Sequence, residues 1–166
     1  MRRRVTLLFF LVVVAVTGLF AGGSREAPEI SELNDGFTRM AVGEARVEWM
    51  VDGENLRLRI SAPTTGWVAV GFEPSSKMKD ANILIGYVKN GTASIRDDYG
   101  VRSTAHGPDE SLGGTRDVSE VSGSEAEGRT NLEFTIPLDS GDEYDQPLTP
   151  GETHAVIFAY GPDDAD

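Results

Sequence analysis

Cysteine is absent from the 166 residues. That excludes disulfides, thiolate zinc sites, iron–sulfur clusters, covalent haem attachment of the c type, a cysteine nucleophile and a lipobox-type lipid anchor. Histidine is scarce: His106 and His154 are the only two, too few for a histidine-rich metal centre. Positive charge is short as well, with 15 Lys+Arg against 27 Asp+Glu and a net charge of −12. The chain therefore lacks the basic face that nucleic-acid binding requires. No amphipathic helical period stands out after residue 30, so there is no helix for a phosphate-cradling glycine loop to open, and no Gly-x-Ser-x-Gly elbow occurs. No nucleophile–base set is visible, which points away from an enzyme.

What is present fits one globular domain behind a short targeting segment. Hydrophobic residues make up 39% and charged residues 25%, which excludes a multi-span membrane protein. Arg2, Arg3 and Arg4 precede an apolar run from Val5 to Phe20, and Ala21, Gly22, Gly23 and Ser24 follow. A basic start, an apolar stretch and a small-residue exit are the layout of a cleaved secretory signal peptide, here 1–23. Loss of those arginines takes the net charge to −15. The expected organisation is a leader at 1–23, a flexible lead at 24–35 and a single domain at 36–166. The expected location is secreted, periplasmic or at the cell envelope, with no membrane span after cleavage.

Beyond residue 36 the hydrophobic period is two. Val47 to Val51 is a mostly apolar run, and Leu56, Leu58 and Ile60 alternate with Arg57 and Arg59 across an Asp52-Gly53 turn. Asp-Gly between two such runs is a hairpin signal. Trp67–Phe72 and Ile83–Val88 are apolar on both faces, and Asn90-Gly91 turns the second into Thr92–Arg96. Residues 97–115 read as a loop broken by Gly107-Pro108 and Gly113-Gly114. A short strand at Val118–Val121, a half-buried strand at Thr130–Ile136 and a last strand at Thr153–Tyr160 complete the pattern. Seven to nine short strands at regular spacing predict an antiparallel β-sandwich.

Few residues offer chemistry. Asp97 and Asp98 are adjacent at a strand end and face opposite ways. The stretch Asp139 to Asp145 resembles a calcium-binding loop in composition, but it lacks the spaced ligands and terminal Glu of an EF-hand and reads as a solvated loop. Met78 stands between Lys77 and Lys79 just ahead of an apolar strand, either capping a sandwich end or offering a thioether to haem iron. His154 shares a strand face with Val156, Phe158 and Tyr160; it is either a strand-edge histidine or the imidazole partner of Met78. His106 lies in the predicted loop and reads as solvent-facing, with the second-ligand role left open.

The ordered segments Gly66-Trp67-Val68-Ala69-Val70-Gly71-Phe72, Met78, Asp80-Ala81-Asn82-Ile83-Leu84-Ile85-Gly86-Tyr87-Val88, Ile95-Arg96-Asp97-Asp98-Tyr99-Gly100 and Phe158-Ala159-Tyr160-Gly161 resemble the DOMON domain family from about Gly36 onward. The resemblance implies an extracytoplasmic immunoglobulin-like β-sandwich that holds b-type haem or a sugar-like ligand. Haem-binding members transfer electrons, using a Met before the "A-(D/N)-I-x-I-G" strand and a late His. Met78 matches the first position. The family's late His follows the stretch equivalent to Phe158–Gly161 and has no counterpart through Asp166, so His154 is taken as the second ligand. Trp67 and Tyr87 would wall a porphyrin face or a sugar ring, or pack in the core. Expected partners are a redox protein, which the acidic surface suits if that protein is cationic, or a small carbohydrate-like ligand. The alternative function is a haem-free binding or interaction module.

Overall fold

The computed structural model describes residues 8–11 and 28–162, so most of the leader expected at 1–23 lies outside the described residues. Two six-stranded sheets pack face to face. The front sheet runs β1 (Leu8–Leu11), β12 (Thr153–Tyr160), β6 (Val68–Phe72), β7 (Asn82–Lys89), β8 (Thr92–Arg102) and β9 (Ala105–Pro108). The back sheet runs β10 (Ser119–Ala126), β11 (Arg129–Pro137), β5 (Asn55–Ala62), β4 (Ala45–Asp52), β3 (Thr38–Val42) and β2 (Glu29–Glu32). Every pairing is antiparallel except β1 with β12. The antiparallel sandwich is as expected.

Turn chemistry fixes the hairpins. Asn90 and Gly91, both at positive φ, join β7 to β8 as a two-residue turn whose twist matches the strands. Glu127 and Gly128 do the same between β10 and β11. Alternation then sorts the side chains. Val68, Val70 and Phe72 of β6, Leu84 and Val88 of β7, Ile95 of β8 and Val156 of β12 meet Trp49, Leu56, Leu58, Ile60, Leu132 and Phe134 of the back sheet in the core.

Three segments depart from the sequence expectation. Of the expected flexible lead, Glu29–Glu32 pairs with β3 as the back sheet's edge; all four residues are exposed, so no period marks them. The strand at Val118–Val121 is longer, Ser119–Ala126, and bulged. Most consequential for the site, β8 does not stop at Arg96 but runs to Arg102 and pairs with β9. It carries Asp97 and Asp98 into the interior.

One buried hydroxyl ties the sheets together at the Trp67 end. Thr130 is fully buried, and its hydroxyl lies 3.0 Å from Thr64 O and 2.9 Å from Gly66 O on the β5–β6 connection. Thr130→Val keeps the shape but leaves those carbonyls without this donor. It is expected to cost about 1–3 kcal/mol of stability in urea unfolding, and an unchanged midpoint would refute that role.

Candidate functional site

Three carboxylates from distant parts of the chain meet at one end of the sandwich. Asp97 comes from β8, two residues after core Ile95 and on the same side of the strand. Asp109 opens the single 3-10 turn among the described residues, Asp109–Ser111, directly after β9. Asp145 comes from the long β11–β12 connection. One oxygen of each lies within 4.8 Å of the others.

The cluster is poor in hydrogen bonds for its burial. Asp97 Oδ2 accepts from Asp117 N at 2.8 Å, and Asp145 Oδ1 accepts from Asn82 Nδ2 at 2.6 Å. Asp97 Oδ1, both oxygens of Asp109 and Asn82 Oδ1 are buried with no hydrogen-bond partner among the described residues. Burial disfavours the charged forms, and the neighbouring aspartates add repulsion. The Asp109 carboxyl is pushed up to about 8, Asp97 to about 7 and Asp145 to about 6. Oxygen-only donors suit a hard cation. Three carboxylates with an amide oxygen beside them suit calcium, which takes about six to eight oxygen ligands, better than magnesium, which usually keeps several waters and only one or two carboxylates.

Asp98 faces the other way, as strand parity requires. It is fully buried and gripped by both nitrogens of an Arg96 fork at 2.8 Å each. It also holds His106 Nδ1 at 2.5 Å. Burial raises its carboxyl, but the His106 and Arg96 hydrogen bonds outweigh that and hold it below the usual range. His106 is thus a member of the front sheet, oriented by a carboxylate, rather than a loop residue facing solvent.

The expected haem ligands fall on opposite faces of the front sheet. Met78 is half-buried and packs with Trp67 on the outer cluster of Ala69, Ala81, Ile83, Ile85 and Ile157. Tyr87 continues the outer row of Ile83 and Ile85 along β7. His154 shares the inner parity of Val156. Its Nδ1 lies 3.0 Å from Glu73 Oε1 and its Nε2 3.0 Å from Thr149 O. Both nitrogens therefore face acceptors, and the structure does not bring His154 together with Met78. It does bring His106 to Met78's side, because Asp98 pairs across the strands with outer-face Ile83. A separate groove of about 410 Å³ lies on the back sheet, lined by Arg46, Glu48, Arg59, Asn131 and Glu133 among others. None of Trp67, Met78 and Tyr87 reaches it.

The DOMON domain model matches residues 42–161. MOXD1 homolog 2 of Drosophila melanogaster is 26% identical over 129 residues, covering 78% of this chain and 16% of that protein. DBH-like monooxygenase protein 1 of Mus musculus is 30% identical over 122 residues, covering 74% of this chain and 19% of that one. Its counterpart in Homo sapiens is 28% identical over 148 residues, covering 89% and 22%. The chain thus spans about a fifth or less of the length of these relatives. Among the described residues no helix is long and apolar enough to cross a membrane.

Proposed function

The chain belongs to the DOMON domain family, and from that premise we propose that it is an exported, non-catalytic binding module whose Asp97–Asp109–Asp145 cluster takes a divalent cation, calcium before magnesium. One observation carries this: Asp109 is fully buried, and neither of its oxygens has a hydrogen-bond partner among the described residues. An isolated buried carboxylate is expensive, and it becomes tolerable by holding a proton or by ligating a cation. With two more carboxylates and the unpartnered Asn82 Oδ1 alongside, a cation satisfies all of them at once. Monooxygenase belongs to the names of relatives of which this chain covers 19% and 22%; the part proposed here is that of a module.

Calorimetry and thermal unfolding on chain stripped with EDTA test the proposal. Calcium is expected to bind at one site with Kd on the order of 1 mM or tighter and to stabilise by about 2.7 kcal/mol at a hundredfold excess over Kd, with magnesium weaker. No heat and no shift with millimolar calcium would overturn it.

A second reading is favoured by one observation. Met78 and a carboxylate-backed His106, whose Nε2 has no partner among the described residues, lie on the same outer face. A ring nitrogen braced in this way is a good metal ligand, so b-type haem would sit on that face, where it supplies one-electron chemistry. Reduced-minus-oxidised spectra after haem loading test it. A low-spin band lost in both Met78→Ala and His106→Ala would support haem there, and the absence of a Soret band would remove it.

A further inference from the structure

We propose that occupancy of the acidic cluster controls the order of the Met78 loop, residues 75–81, and so the presentation of Met78 on the outer face. This rests on the cation reading above. The two places are joined by consecutive residues of one connection. Asp145 contributes an oxygen to the cluster and is held by Asn82, the first residue of β7. Its neighbour Gln146 donates from Nε2 to Asp80 O at 3.0 Å. On the other side of Asp145, the Tyr144 ring packs edge-on against Tyr99 at 5.2 Å between centroids. Tyr99 in turn donates its hydroxyl to Asp80 Oδ1 at 3.1 Å.

Asp80 is the hinge on which the Met78 loop turns. Its backbone sits at φ 64°, a left-handed conformation that is uncommon outside glycine and that aspartate tolerates better than most residues. Its N–H donates to Gly100 O at 2.7 Å, and the next N–H, of Ala81, returns to Met78 O at 3.2 Å. Lys77 in the same loop is also left-handed, at φ 57°.

Of the three carboxylates, Asp97 is fixed in a strand and Asp109 in a turn of the sheet edge. Asp145 alone sits on a connection that regular structure does not hold. Without a cation, and as the carboxyls lose their protons, mutual repulsion acts on the member freest to leave. Its departure takes with it the Gln146 bond and the Tyr144 ring, so Asp80 loses one direct hydrogen bond and its partner Tyr99 loses the ring packed against it. A cation reverses each step. The bistable element is the 139–148 connection, docked or undocked.

Hydrogen exchange on the full chain, in EDTA and with saturating calcium, tests the coupling, with calorimetry alongside. Calcium is expected to slow exchange about tenfold or more in peptides covering both 139–148 and 75–82. In Gln146→Ala the first segment should still respond while the response of the second shrinks. Calcium heat with protection confined to 139–148 would overturn the coupling and leave the cation reading standing. No calcium heat and no change in either segment would overturn both. Equal protection of 75–82 in wild type and Gln146→Ala would reject Gln146 as the link, and the proposal then fails unless Tyr144→Leu removes that protection.

Discussion

Asp109→Asn is expected to abolish the stabilisation by calcium while leaving the metal-free protein as stable as before, or more so. The substitution keeps volume and shape and removes one negative charge from a site where three carboxylates share a few ångströms with little hydrogen bonding. The sign follows from the direction of the shifts. All three carboxyls are raised from an ordinary value of 3.8, to about 6, 7 and 8. Between about pH 4 and pH 8 the native metal-free chain therefore holds protons that the unfolded chain has lost. The contribution of these groups is fully present below the unfolded value and is lost as pH rises through the folded values. Wild-type protein in EDTA should lose stability from about pH 4 to pH 8, and saturating calcium should flatten that fall by replacing the protons. The Asn variant should fall less steeply in EDTA and gain little from calcium, forgoing the roughly 2.7 kcal/mol expected at a hundredfold excess over Kd. Urea midpoints at the two pH values, with and without calcium, measure all of this. A variant stabilised by calcium as much as wild type would remove Asp109 from the site. A variant equally weakened under every condition would make it a packing residue.

That cluster shows where reading the sequence stopped. The sandwich was legible because strand parity and turn residues are local: Asn90-Gly91 and the alternation of Leu56, Leu58 and Ile60 specify their hairpins by themselves. Parity also placed His154 with Val156 correctly, and the same rule, applied to Ile83, Ile85 and Ile157, would have put Met78's packing partners on the other face. The acidic cluster was not legible, because its carboxylates come from positions 97, 109 and 145 and only tertiary folding brings them together. A spacing test designed for a continuous calcium loop rejects the stretch from Asp139 to Asp145, although that stretch delivers one of the three. Asp97-Asp98 looked like the end of a strand, since charged pairs are rarely buried. The strand continues because the Arg96 guanidinium pairs with Asp98 and His106 hydrogen-bonds it on one face, while Asp97 joins the cluster on the other. Tolerance for those two charges was the missing information, and it lies in residues up to 48 positions away.

Gly100→Ala is expected to be among the most damaging single-methyl changes in the chain, and it acts through the Met78 loop. Gly100 has an ordinary negative φ, since it is not among the positive-φ glycines, so the cost is steric rather than conformational. A Cβ there would lie 1.6 Å from Met78 O and 2.7 Å from Met78 C. Both atoms are backbone, and no side-chain rotation relieves the clash. The loop cannot yield without loss, because Asp80 N–H is bonded to Gly100 O at 2.7 Å and Gly100 N–H to Ala81 O at 2.9 Å. Pushing Met78 away breaks that pairing and pulls Asp80 from Tyr99 and Gln146. Overpacking by one methyl usually costs about 1–3 kcal/mol, and the upper end or beyond is expected where backbone must move. Gly107→Ala, on the adjoining strand with nothing within 4 Å of its Cβ, is the matched control and should stay within about 0.5 kcal/mol. Urea unfolding compares the two directly. Equal midpoints for the two variants would mean that Met78 does not rest on β8 as described, and the outer face would then lose its sulfur as a fixed feature.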